Sequence, residues 1–170
     1  MKLRELELKD APLMLEWMHD ESLVEFLQAN FKEKQLSDCE AFIEACKKDE
    51  NNKNWAICND EDEYLGTISL KHIDQKNSNA EYAISMRKCA LGTGASRFGS
   101  EEVLRIAFEE MGLYRVYLNV LVDNIRANKF YEKMGFVYEG TFKEHLYVNG
   151  KYCDLKWFAI TKTEYENRKA

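Results

Sequence analysis

Asp123-Asn124-Ile125-Arg126-Ala127-Asn128-Lys129-Phe130-Tyr131-Glu132-Lys133-Met134-Gly135-Phe136 is the most specific stretch of this chain. It predicts a short helix over 125–134. Asn124 is a residue type whose side-chain oxygen accepts from first-turn amides, and Gly135 supplies the backbone freedom that ends a helix. The run before it, 114–122, is rich in Tyr, Val and Leu and reads as a strand. Tyr131 therefore falls on a short helix just after a strand, at helical spacing with Met134. Arg126, Lys129 and Lys133 form a basic stripe, which fits a solvated face or a phosphate contact.

About thirty residues upstream lies Leu91-Gly92-Thr93-Gly94-Ala95-Ser96. It sits between an expected strand at 80–86 and an expected helix that runs to Met111, where Gly112 stops it. Unpaired amides and the dipole at a helix start favour an anion, and glycine lets the main chain approach phosphate oxygens closely. A P-loop is excluded because no Lys-Ser or Lys-Thr follows at the required spacing. A dinucleotide fingerprint is excluded because Arg97 stands where its third glycine belongs. A shorter phosphate cradle and a plain strand-to-helix connection both fit. Arg87, Lys88 and Arg97 surround the turn with positive charge.

Further outward, Leu3, Leu6 and Leu8 among charges suggest an opening strand. Lys9-Asp10-Ala11-Pro12 starts a helix with Asp10 or its neighbour as cap and the only proline in the first turn. A second helix is expected over 37–48, with Phe42, Ile43 and Cys46 on one side. Stretches 55–58 and 65–73 read as strands joined by the acidic turn 59–63, and 80–86 as the next strand of an antiparallel meander. Along that strand Glu81, Ala83 and Ser85 share one face, and Tyr82, Ile84 and Met86 the other. A final hairpin spans 136–160, with Asn149-Gly150 supplying the positive φ angles of a tight turn. No repeat or linker interrupts the pattern, so residues 1–170 read as one α+β domain.

Composition narrows the function classes. Of 170 residues, 45% are hydrophobic and 32% charged, the balance of an ordinary globular protein, and the net charge is -6. That charge offers no overall field for nucleic acid or anionic lipid. Residues 1–80 hold 18 acids and 10 bases and residues 81–170 hold 12 and 14, so an anionic ligand is better placed in the second half. Five cysteines (Cys39, Cys46, Cys58, Cys89, Cys153) form no C-x-x-C pair, and His19, His72 and His145 are scattered, so no metal site is expected. The first ten residues lack an apolar core of leader length, and nowhere do 18 apolar residues run together. The expectation is a reducing cytoplasm and no membrane partner. Tyr147, Tyr152, Trp157 and Phe158 fit either a core or a partner surface, which leaves a homodimer open.

Taken together, 123–136 and the glycine turn resemble the GNAT superfamily of N-acetyltransferases, whose members carry an R/Q-x-x-G-x-G/A loop and then an N-x-x-A-x-x-x-Y-x-K-x-G-F segment. Leu3-Arg4-Glu5-Leu6 with 10–17, the Tyr64-Leu65-Gly66-Thr67-Ile68 strand and the tail 140–154 are similar to the ribosomal-alanine and spermidine branch. The resemblance implies a mixed, mostly antiparallel sheet flanked by helices that splays near its middle to hold coenzyme A. It assigns the pyrophosphate to the amides of Leu91, Gly92, Thr93, Gly94, Ala95 and Ser96, and the pantetheine arm to Ile84, Ser85 and Met86. Asn124 and Ala127 belong to the same motif, near cofactor or substrate. Leu91 replaces the usual Gln or Arg, Ser96 the last Gly or Ala, and Phe98-Gly99 a common Glu-Ala. Because the contacts are mainly backbone, binding is expected to survive with some loss of affinity.

The implied reaction is direct transfer of acetyl from acetyl-coenzyme A to a small-molecule primary amine, polyamine-like or an amino sugar. A protein N-terminus as acceptor and a non-catalytic acyl-coenzyme A module are the alternatives. An alkyl ammonium of pKa about 10.4 must lose a proton before attack. Glu81 corresponds to the acidic strand residue that serves as base, directly or through water, although a strand-face carboxylate paired with a lysine is equally simple. Tyr131 resembles the proton donor to the departing thiolate, a workable exchange between a phenol of pKa about 10 and a thiol of about 8.5. A core aromatic is the plainer role for it.

Overall fold

The alternation of apolar and polar residues along the β-rich stretches is realised in one seven-stranded sheet. The structure, a computed structural model, describes residues 1–27 and 29–169. The strands are β1 (Lys2–Glu5), β2 (Lys53–Cys58), β3 (Tyr64–Asp74), β4 (Asn79–Met86), β5 (Arg115–Leu121), β6 (Val137–Val148) and β7 (Lys151–Thr161), in the spatial order β1-β2-β3-β4-β5-β7-β6. Every neighbouring pair is antiparallel except β4 and β5. A parallel pair needs a crossover connection, and α4 (Ala95–Arg105) with its continuation Ile106–Glu110 provides it.

That parallel junction is short. Asn79, Ala80 and Glu81 pair with Arg115, Val116 and Tyr117, and residues 82–86 of β4 and 118–121 of β5 then run on without pairing to each other. On its other side β4 stays paired to β3 as far as Met86, opposite Gly66. The sheet therefore opens into a V between β4 and β5, with one edge of each strand facing the gap.

Helices cover both faces. On one side α1 (Ala11–Met18), α2 (Glu21–Val24) and α3 (Leu36–Cys46) bury Met14, Trp17, Val24, Ile43 and Tyr64. On the other, α4 packs Val103 and Leu104, with Phe108 from its continuation, against Ile68, Leu118 and Phe158. Gly99 explains part of the departure from the family pattern, because a Cβ there would run into the side chain of Ile57. α4 thus lies with its backbone against the sheet. α5 (Ile125–Lys133) follows β5, and α6 (Lys162–Asn167) closes the described chain.

Several local expectations shift. The first strand stops at Glu5, because Leu6 turns into the core. Asp10 precedes α1 but does not cap it with its side chain. Its carboxylate accepts from Arg4 at 2.7 and 2.8 Å and from the Glu7 amide at 2.9 Å, one turn earlier. α2 and α6, of 4 and 6 residues, are too short for periodicity to register. In the final hairpin Asn149 (φ 51°) and Gly150 (φ 81°) make the tight turn, Phe158 is core, and Tyr147 and Tyr152 are exposed at the tip. Among the described residues no helix is long and apolar enough to cross a membrane.

Candidate active site

The glycine turn lies at one lip of the V. Gly92 and Gly94 have φ of 79° and 89°, where side chains are rarely tolerated, and Gly94 is the residue from which α4 starts. Thr93 Oγ1 donates to the Ala90 carbonyl at 2.7 Å and accepts from the Ala95 amide at 3.3 Å, which pins the turn. The Leu91 and Thr93 amides donate to Lys88 and Ala90. Among the described residues, the amides of Gly92, Gly94, Ser96 and Arg97 have no protein acceptor. Free anion-holding capacity therefore rests on those four. Leu91, Thr93 and Ala95 shape the loop instead, and Ala95 is fully buried. Arg97 contributes an amide that the motif alone did not single out.

The basic residues around the turn behave differently from one another. Arg87 points into the protein, where its guanidinium donates to Glu16 at 3.0 Å, Glu63 at 2.5 Å and the Tyr64 carbonyl at 3.0 Å. It ties the end of β4 to α1 and β3 and is no free cation. Lys88 pairs with Asp20 at 3.4 Å. Arg97 pairs with Glu101 at 2.8 Å on the exposed face of α4 and still reaches the cleft, as does Arg126.

A cleft of about 550 Å³ runs from this turn into the V. Ile84, Ser85 and Met86 line one wall, Leu91, Gly92, Gly94 and Ser96 the lip, and Asn124, Ala127 and Tyr131 the other wall. The Asn124 side chain accepts from the Ala127 amide at 3.1 Å, so it caps α5 while it lines the cleft. Asn128, buried beneath it, donates to the Leu121 carbonyl at 3.0 Å and the Asn124 carbonyl at 2.7 Å. It fastens the start of α5 to the end of β5, and no sequence argument pointed to it.

A second cleft of about 440 Å³ continues past the point where β4 and β5 part, and Ile84, Ser85, Asn124 and Tyr131 are common to both. The Tyr131 phenol makes no hydrogen bond among the described residues. Its ring is held edge-on by Tyr82, Phe130 and Phe136, and burial pushes its pKa up to about 12. Glu81 opens on this second cleft, 3.3 Å from Lys71 Nζ and 3.6 Å from His72 Nε2, with Asn119 Nδ2 donating to it at 3.5 Å. His72 reaches Glu81 because β3 breaks register between Lys71 and Asp74 and His72 itself adopts φ 51°. Nothing in the sequence announced that. The arrangement offers a carboxylate and an unpartnered phenol along one connected channel. Among the described residues no group of three His, Cys, Asp or Glu could hold a metal ion.

A mixed sheet opened at its one parallel junction, with a glycine turn and a helix start at the lip, is the architecture of the acetyltransferase fold. Residues 1–137 match the family described as the acetyltransferase (GNAT) domain, and the chain belongs to that family. It is 34% identical over 104 residues to the spermidine N(1)-acetyltransferase of Vibrio cholerae and 36% identical over 104 residues to YdaF of Bacillus subtilis. Each match covers 61% of this chain, and they span 60% and 57% of those relatives' lengths. The crystal structure of the Vibrio cholerae spermidine N-acetyltransferase in complex with CoA and spermine superposes with a TM-score of 0.89 at 25% identity, over 98% of each chain.

Proposed function

We propose that this protein transfers the acetyl group of acetyl-coenzyme A to the nitrogen of a small primary amine, with both substrates bound together. The observation that carries this reading is the meeting of the two clefts at Tyr131, one beginning at four unpaired amides and the other at Glu81. The residues fit the cofactor. Gly92, Gly94, Ser96 and Arg97 would hold its pyrophosphate, Arg97 and Arg126 would add charge, and the unpaired edge of β4 at 84–86 would hydrogen-bond its pantetheine arm. Bound there, it supplies the activated acyl group.

Glu81 then removes a proton from the acceptor ammonium, directly or through one water, so that the nitrogen lone pair attacks the thioester carbon. As the carbon–nitrogen bond forms and the carbon–sulfur bond breaks, Tyr131 gives its proton to the departing sulfur, and the surplus proton on the new amide nitrogen passes through water to restore the phenol. Burial keeps this phenol protonated at neutral pH, and the same burial raises the proton affinity of a thiolate released beside it, so both partners of the transfer shift in the same direction. Residues 1–170 act as one catalytic domain in this reading, and five free thiols fit a reducing cytoplasm.

The test is thermal melting with coenzyme A and acetyl-coenzyme A. A ligand at a hundred times its Kd adds about 2.7 kcal/mol to the folded state, so the midpoint must rise. No shift at millimolar cofactor ends the proposal, and a shift without thiol release over an amine panel reduces it to a non-catalytic binding module.

A further inference from the structure

A third cavity, of about 280 Å³, lies between the sheet and the helices α1 and α3, on the face of β4 that carries Glu81, Ala83 and Ser85. It shares Phe31, Lys71, Ala83, Ile84 and Ser85 with the cleft at Glu81, so the two adjoin along β4. Its wall is apolar, made by Met14, Trp17, Met18, Phe31, Cys39 and Phe42. We infer that this cavity takes the body of the acceptor, and that the acceptor is a small monoamine with an apolar alkyl or aryl body and no second charge. The inference rests on the acyl-transfer reading and refines it.

Charge and hydrogen-bond accounting both support this assignment. A polyamine brings one or more further ammonium groups, each of which needs a carboxylate or a carbonyl cluster once removed from water. Among the described lining residues the cavity has one carboxylate, Asp38, one of whose oxygens accepts from the Gln35 amide at 2.7 Å at the start of α3. Lys34 and Lys71 also line the space, and both repel a second ammonium. Glu81, in the adjoining second cleft, faces Lys71 and His72 and is the group reserved for the reacting nitrogen.

An amino sugar fails for a different reason. Its several hydroxyls need free partners, but most polar groups of the cavity floor are bonded to one another, and the Ser85 hydroxyl is left over among the described residues. Ser69 donates to Asn54 Oδ1 at 2.6 Å, and Thr67 shares a 2.7 Å bond with Tyr64, whose hydroxyl also accepts from Trp17. The larger part of the lining is apolar surface, where one methylene changes specificity by about tenfold.

The experiment compares hexylamine with 1,6-diaminohexane, which differ at one end by a methyl against an aminomethyl group, in acetyl-coenzyme A-dependent thiol release. Hexylamine is expected to show at least tenfold higher kcat/KM than the diamine or spermidine, and kcat/KM is expected to rise from propylamine to hexylamine. Equal values, or preference for the charged acceptors, overturn the inference. Lys34→Glu, an exposed position, is expected to narrow the hexylamine preference at least threefold. An unchanged ratio in a variant with unaltered melting also overturns it. A Leu-initiated hexapeptide that outperforms hexylamine overturns the assignment to a free small amine. If no amine at all is acetylated by protein that binds the cofactor, the acyl-transfer reading fails, and the inference fails with it.

Discussion

Glu81 of β4 and Lys71 of β3 are register partners whose Oε1 and Nζ stand 3.3 Å apart, with His72 on the other carboxylate oxygen. The pair orients the carboxylate toward the second cleft. Glu81→Gln is therefore expected to lower kcat/KM about a hundredfold at pH 7, with the deficit shrinking toward pH 10 as the free amine deprotonates by itself. Initial rates over that range check it. Parallel wild-type and variant profiles would remove Glu81 from proton transfer.

Tyr131→Phe isolates the phenol from its ring. The ring packs against Tyr82, Phe130 and Phe136, contacts that phenylalanine keeps, and the lost hydroxyl has no protein partner. Folding and cofactor affinity should stay within a few-fold of wild type while turnover falls at least tenfold, since a positioned proton donor is worth about a hundredfold or more. Calorimetry and steady-state rates separate the two readouts. Equal loss in binding and turnover would make Tyr131 a wall of the cleft and nothing more.

Gly94 tests the anion cradle. A Cβ at this position meets nothing within 4 Å, so the cost of a side chain is conformational, about 1–3 kcal/mol at φ 89°. Gly94→Ala carries that cost alone. Gly94→Asp adds a carboxylate beside the unpaired amides, where it competes with phosphate and repels it. Relative to Ala, the Asp variant is expected to bind coenzyme A at least tenfold more weakly by calorimetry. Equal affinity in the two would move the pyrophosphate elsewhere.

What was legible in the sequence was local. Asn124 capping, the stop at Gly135, the Asn149-Gly150 turn and the two faces of β4 each depend on residues a few positions apart, and each formed as read. The parallel pairing of β4 with β5, and its end at Glu81 and Tyr117, joins strands on either side of a helix, and no local pattern encodes where such a pairing stops. Arg87 looked like a phosphate ligand because its partners, Glu16 and Glu63, lie 71 and 24 residues away. His72 was missed because its position depends on a register break in β3, which residue type does not report. The division of labour in the glycine turn was hidden too, since it depends on the Thr93 hydroxyl consuming the Ala95 amide.

Alkaline pH should destabilise the fold through its buried phenols. Tyr64, Tyr82 and Tyr131 all have raised pKa values with desolvation as the leading cause. The unfolded chain releases these protons near pH 10, and the folded chain holds them longer, to about 12 for Tyr131. Stability from these groups is complete below the unfolded value and falls as pH rises through the interval between the two. The buried thiols Cys39 and Cys58, raised by the same cause, act in the same direction from about pH 8.5. Urea midpoints are expected to be level from pH 7 to 8 and to decline steeply above 10. A level midpoint through pH 11.5 would contradict the burial of these rings.

Arg4 offers a stability test remote from the clefts. Its guanidinium makes a two-pronged contact with Asp10, a residue only 1% exposed, while its Nε donates to Asp62 at 2.9 Å. Asp10 in turn holds the Glu7 amide at the entrance to α1, so the pair fastens β1 to the first helix. Arg4→Ala strands a buried carboxylate, which typically costs about 3–5 kcal/mol, whereas a neutral replacement of both partners removes the charge together with its need. Arg4→Ala alone is therefore expected to lower the urea midpoint more than Arg4→Ala combined with Asp10→Asn, with kcat/KM per folded molecule unchanged in both. If the double variant is instead as unstable as the sum of the singles, the two side chains do not act as a pair and the tie between β1 and α1 rests on packing at Leu6 and Ala11.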